Sequence, residues 1–207
     1  MADKFAYLSN YVKPGELCLD FVNSKLWGTR AQPFVDLFTN YERIVHWCRH
    51  LNILSDEEVE PLLQLAEQKP NQAQAAFEKI SAVCDANYRT FTAIARQQAP
   101  ASKDLDILNQ ILSEAMQHRQ VISTPEGFAW SWTKNDASLD WMLWPVALST
   151  ADLLTSERIQ RIRECSGCYW MFVDTSRNGL RRWCDMKTCG NRAKAHRHYE
   201  RVRNTSN

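Results

Sequence analysis

Four cysteines fall within 25 residues near the end of a 207-residue chain, in the pattern Cys165-x2-Cys168-x15-Cys184-x4-Cys189. Two residues between a cysteine pair allow a tight knuckle that aims both sulfurs at one point. Gly167 lies inside that knuckle and supplies backbone freedom. Four soft thiolates complete a tetrahedral shell, the arrangement zinc takes in structural sites, with no open position for water. One structural Zn2+ held by Cys165, Cys168, Cys184 and Cys189 is therefore expected. His196 and His198 stay outside a shell that is already full. The second pair precedes a helix predicted from about Asn191, and Tyr169–Asp174 can form an arm of a small hairpin. Together these predict a treble-clef-like finger.

The other three cysteines, Cys18, Cys48 and Cys84, stand singly among apolar residues and read as buried thiols that behave as small hydrophobes. The opening residues 1–16 lack the apolar centre of a signal peptide. No run approaches the roughly 18 apolar residues of a membrane helix. A soluble cytoplasmic protein with no membrane partner is expected, in which disulfides are disfavoured. Only six glycines are present and no Gly-rich phosphate loop, which argues against a nucleotide enzyme.

Charge separates as the cysteines do. The formal net charge of +1 combines −6 over residues 1–156 with +7 over residues 157–207. An acidic body and a basic module follow, with domains expected at 1–157 and 158–207. The basic module carries Arg177, Arg181 and Arg182 around the turn Asn178-Gly179, then Arg192, Lys194, Arg197 and Arg201 on the final helix. On that helix Ala195, Tyr199 and Val202 form a narrow apolar stripe able to pack on the zinc module. Arginine forks suit phosphate oxygens and guanine edges, so double-stranded DNA is the expected partner. RNA binding, with Tyr169, Trp170 and Trp183 as stacking faces, and a protein-interaction adaptor are the alternatives.

The body reads as mainly α. Apolar spacing predicts helices over 34–51, 71–97 and 138–154, the last kinked at Pro145, and another capped by Ser102. Ser55 and Glu58 have capping-box spacing, but Pro61 would interrupt a helix begun there, so a start at Pro61 is the alternative. Phe128, Trp130 and Trp132 alternate after the turn signal Pro125-Glu126-Gly127, which predicts a β-hairpin over 118–123 and 127–133. Residues 15–23 fit either a strand or a helix. The fold class is thus mainly α (α+β): a helical N-terminal domain with a small β-hairpin, plus the four-cysteine finger.

Asp20, Asn23 and Arg30, with Trp27 or Trp47, could line a pocket for a small-molecule effector; bracing of a chain turn is the competing reading for Asp20 and Asn23. Trp130, Trp132, Trp141 and Trp144 could likewise line a pocket, but core packing or a homodimer seam suits them better. His46, His50 and His118 are dispersed, and Ser149 and Ser176 lack a nucleophile elbow, so no enzyme activity is expected.

The strings Cys165–Cys168, Phe172-Val173-Asp174-Thr175-Ser176-Arg177-Asn178, Arg181-Arg182-Trp183-Cys184 and Cys189-Gly190-Asn191-Arg192-Ala193-Lys194 resemble the CGNR zinc-finger family. The body resembles that family's N-terminal partner, the ABATE domain, through Leu17-Cys18-Leu19-Asp20-Phe21-Val22-Asn23, Leu143-Trp144-Pro145-Val146 and Leu153-Leu154-Thr155-Ser156. The resemblance implies a bacterial protein, a treble-clef finger and a stress-related transcription regulator. All four cysteines match the family's metal positions, although the first pair is closer together than in many relatives.

Overall fold

The structure, a computed structural model, describes residues 16–25, 27–29, 32–133 and 138–205, and only the backbone of 27–29, 32–35 and 204–205. The elements run α1 (Leu17–Asn23), β1 (Trp27–Thr29), β2 (Gln32–Val35), α2 (Tyr41–His50), α3 (Asp56–Gln68), α4 (Pro70–Ala95) and α5 (Ser102–Gln117). Then come β3 (Arg119–Thr124), β4 (Gly127–Trp132), α6 (Leu143–Thr155), a 3-10 turn (Glu157–Arg161), β5 (Ile162–Glu164), β6 (Met171–Val173), a π-helical turn (Met186–Gly190) and α7 (Asn191–Thr205). The strands form three separate two-stranded antiparallel pairs. The architecture is mainly helical with small hairpins, as the periodicity indicates.

Helices α2 to α6 bury one apolar stripe each in a common core, where Phe21, Phe38 and Trp47 meet with ring centroids 5.2 to 5.7 Å apart. The hairpin β3–β4 is fastened to this core at its base only. Trp132 packs 5.7 Å from Trp144, and His118 stacks on Trp144 at 4.2 Å. Cross-strand register puts Arg119, Val121 and Ser123 on one face with Trp132, Trp130 and Phe128. The outer part of that face is open: Phe128 is 84% and Trp130 64% exposed.

Several local expectations are corrected. The segment predicted as one helix over 34–51 begins with strand residues, and α2 starts at Tyr41 because Asn40 caps it, its side chain accepting from the Arg43 amide. Helix α3 starts at Asp56 with a full capping box and carries Pro61 inside it. Pro61 leaves the Glu57 carbonyl without its helical donor, but Glu57 is exposed and water can replace the bond. Helix α6 starts at Leu143, so Pro145 sits in the first turn, where its missing amide costs no intrahelical bond. The ambiguous segment is helical as α1, with Cys18 to Asn23 all buried.

Body and finger share a second core. Cys18, Leu19 and Val22 of α1, Phe91 of α4 and Leu153 of α6 close on Ile162 of β5 and Met171 of β6. Asn23 adds a two-point clamp across this seam. Its Nδ2 donates to the Met171 carbonyl at 2.9 Å, and the Met171 amide donates to its Oδ1 at 2.8 Å. Salt bridges Arg158–Glu16 and Arg96–Glu164 (3.2 Å) cross at the rim. No helix among the described residues is long and apolar enough to cross a membrane.

Candidate metal centre and basic surface

Strands β5 and β6 pair as Ile162↔Val173, Arg163↔Phe172 and Glu164↔Met171, and the loop between them is the first cysteine knuckle. It is closed by the Cys165 amide donating to the Trp170 carbonyl (2.9 Å) and the Tyr169 amide donating to the Cys165 carbonyl (2.9 Å). The left-handed residue is Tyr169, at φ 62°, so Gly167 is not there for its backbone freedom as expected. Gly167 is required by a close approach. A Cβ on it would meet the Trp183 ring at 3.3 Å and Cys189 Cβ at 3.4 Å. The second pair is brought in by the π-helical turn, whose start Asp185 caps by accepting from the amides of Lys187 and Thr188. Residues Cys165, Trp170, Phe172 and Cys189, with Cys168, Trp183 and Cys184 against them, make the finger's own small core.

The four sulfurs lie within 4.8 Å of one another. Cys168 and Cys184 are 3.6 Å apart, and Cys184 and Cys189 3.8 Å. A tetrahedron with zinc–sulfur bonds of about 2.3 Å has edges of about 3.8 Å. The residues therefore fit one structural zinc, with no ligand position left for water. Electrostatics agree. Cys165 is held far below the ordinary thiol range, first by S–H donation from Cys168 and Cys184, and also by the amides of Cys184 and Gly167. Its thiolate in turn pushes Cys168 and Cys184 upward. All four can ionise together only against a multivalent cation.

The loop after β6 is built on Asp174, which is fully buried. Burial alone would raise its carboxyl. Hydrogen bonds from Ser176 and the Arg181 and Ser176 amides, with the Arg163 charge nearby, hold it below the usual carboxylate range. Sequence reasoning misses this residue, though Asp174-Thr175-Ser176 is an Asx-turn pattern.

The predicted nucleic-acid residues separate into two groups. Arg177, Arg182, Arg192, Lys194, Arg197 and Arg201 are exposed. Arg182 lies over the Trp183 ring at 5.7 Å. Arg181 instead turns inward: its Nε donates to the Trp183 carbonyl (3.0 Å), its Nη2 to that of Cys184, and its guanidinium lies over Phe172. Two of its N–H donors thus go to carbonyls of the second cysteine segment, one of them on a metal ligand. Arg161 and Arg163 likewise brace backbone carbonyls. The packing expected of the final helix does not occur. Helix α7 joins the finger chiefly through the π-helical turn. Tyr199 (72%) and Val202 (49%) face solvent, because three apolar positions make too narrow a stripe to bury.

The expected effector pocket is dispersed. Trp47 is fully buried in the main core, and Asn23 spends its amide on Met171. Arg30 lies outside the described residues, and of Trp27 only the backbone is described. Asp20 does face a cleft, but with Glu16, Trp170 and Phe172, a grouping the sequence does not suggest. Nothing local in the sequence links α1 to residues 150 positions away.

Two family models match the chain. One, described as "CGNR zinc finger", matches residues 161–202. The other, ABATE, described as "Putative stress-induced transcription regulator", matches residues 15–157. Among curated proteins, none matches the chain.

Proposed function

The chain belongs to the family of ABATE-domain proteins and carries a CGNR zinc finger at its C-terminal end, and on that premise we propose that it is a zinc-dependent, DNA-binding transcription regulator of a bacterial cytoplasm, not an enzyme. The observation that carries this reading is the exposed basic set on the finger: Arg177, Arg182, Arg192, Lys194, Arg197 and Arg201 all reach solvent around a core fixed by four cysteines. Lys194, Arg197 and Arg201 fall within about one-sixth of a turn on α7, at 100° per residue. They form one basic face. We read the hairpin, π-helical turn and following helix as a treble-clef arrangement that presents this face to a duplex. Zinc has a structural role in it.

Selection from random duplex DNA with the zinc-loaded protein tests the proposal, with R192A/K194A/R197A as control. An enriched motif, lost in the control, is expected. Binding should weaken with salt at a log–log slope of roughly −0.9 for each phosphate contacted. Binding that ignores sequence and salt, or a preference for RNA, would overturn it. The open aromatic face of β3–β4 favours a homodimer as the means of bringing two fingers to one site.

A further inference from the structure

Between α1 and the finger lies a cleft of about 300 Å³. Glu16, Leu19 and Asp20 line it from the body, and Trp170, Phe172 and Arg181 are among its residues from the finger. That volume is at the small end of the range for small-molecule sites, about 300–1,000 Å³. Asp20 is only 8% exposed. Among the described residues nothing donates a hydrogen bond to its carboxylate, and the charge that acts on it is that of Glu16, of like sign. Glu16 itself is engaged by Arg158. Among the described residues the one cation in the cleft wall, Arg181, directs its guanidinium at the Trp183 and Cys184 carbonyls and the Phe172 ring. A buried carboxylate without a donor or counter-ion is costly unless something enters to pair with it.

We propose that this cleft binds a small organic cation, an alkyl- or arylammonium, with Asp20 as its counter-charge and Trp170 and Phe172 as its apolar wall. The two carboxylates disfavour an anion, and Arg181 turns towards the Trp183 and Cys184 carbonyls. A hard divalent cation would find one free carboxylate and two aromatic side chains where it favours further oxygen ligands. An ammonium group with a short apolar stem satisfies both walls. It donates to Asp20 and is drawn to the faces of the aromatic rings. Burial pushes the Asp20 carboxyl up to about 7, with Glu16 adding to it, and a bound ammonium would reverse that desolvation penalty. Because the lining comes from both units, occupancy strengthens the seam that seats the finger. That regulatory consequence rests on the proposed function; the binding itself does not.

The test is isothermal titration calorimetry on the zinc-loaded full chain at about pH 8, where Asp20 is ionised. The probes are n-butylamine, benzylamine and tryptamine, with benzyl alcohol as the neutral counterpart. At least one amine should bind once per chain, at least about tenfold more weakly to D20N, and benzyl alcohol should not bind. The D20N chain should fold, since the substitution removes a buried charge; zinc content and circular dichroism check this. Amide NMR shifts on wild-type protein give an independent readout and should centre on Leu19, Asp20 and Phe172. No saturation by any amine below about 10 mM, equal affinity for D20N, or shifts confined elsewhere would overturn the proposal. None of these readouts involves DNA, so they fail or succeed apart from the selection experiment.

Discussion

Asp20 sets a pH dependence of its own. Its folded-state pKa is raised from 3.8 to about 7, so the folded chain holds this proton more tightly than the unfolded chain does. Below about pH 4 both states are protonated and there is no penalty. As pH rises towards 7 the wild type loses stability, by about 1.4 kcal/mol for each tenfold difference in proton affinity between the folded and unfolded chains. The expected result is that D20N is the more stable protein at pH 8, by about 2 to 4 kcal/mol, with the gain vanishing near pH 4 in urea melts. Two of the finger's three glycines should respond differently to alanine. At Gly190 the new Cβ meets Met186 Sδ at 2.7 Å, the flexible end of a half-exposed side chain that can swing away. At Gly167 it meets the Trp183 ring and Cys189 Cβ, both fixed in the finger core. Zinc competition titrations should show G167A weakening the metal site by tenfold or more, a loss of about 1.4 kcal/mol, and G190A by much less. The metal ligands are legible in the sequence because their spacing is local chemistry. The duty of Arg181 is not, because an arginine's direction depends on carbonyls that only the folded knuckle presents.

At the level of elements, hydropathic periodicity locates most helices, and its failures share one cause. Pro61 and Pro145 read as breaks in the sequence, yet one leaves its unpaired carbonyl on an exposed residue and the other sits in a first turn. Their effect depends on where the helix starts, and cap chemistry decides that over a few residues. Helix α7 fails in the opposite sense. Its stripe is present in the sequence but is left largely exposed among the described residues. The β3–β4 hairpin is legible as an element, while its exposure is not. An isolated two-stranded hairpin is marginal in water, and here Val121, Phe128 and Trp130 extend beyond the packed base. If a second copy covers them, sedimentation should find a dimer that F128S/W130S converts to a monomer with unchanged helical content. A wild-type monomer at high micromolar concentration would sink the homodimer.

Across the whole molecule, the finger is seated on the body by the shared apolar core and the Asn23 clamp. Replacing Asn23 with Ala removes one partner from each of two buried hydrogen bonds, at a cost of about 1 to 3 kcal/mol for each group left unsatisfied. Thermal unfolding of N23A should fall by several degrees even with zinc bound. Zinc removal should also lower the midpoint of the body, since Met171 and Ile162 belong to the element the metal holds; two independent transitions would show that the seam carries no coupling. The chain also passes from one unit to the other without slack. Ser156 ends α6 and begins the 3-10 turn, and Ile162, six residues on, is already buried. A tethered finger would sample many separations, so its second contact would be governed by effective concentration. On the proposed function, this molecule would act instead as a ruler. Any pairing of two bodies would fix the distance and angle between their fingers, and what such a pair would measure on its target is an interval.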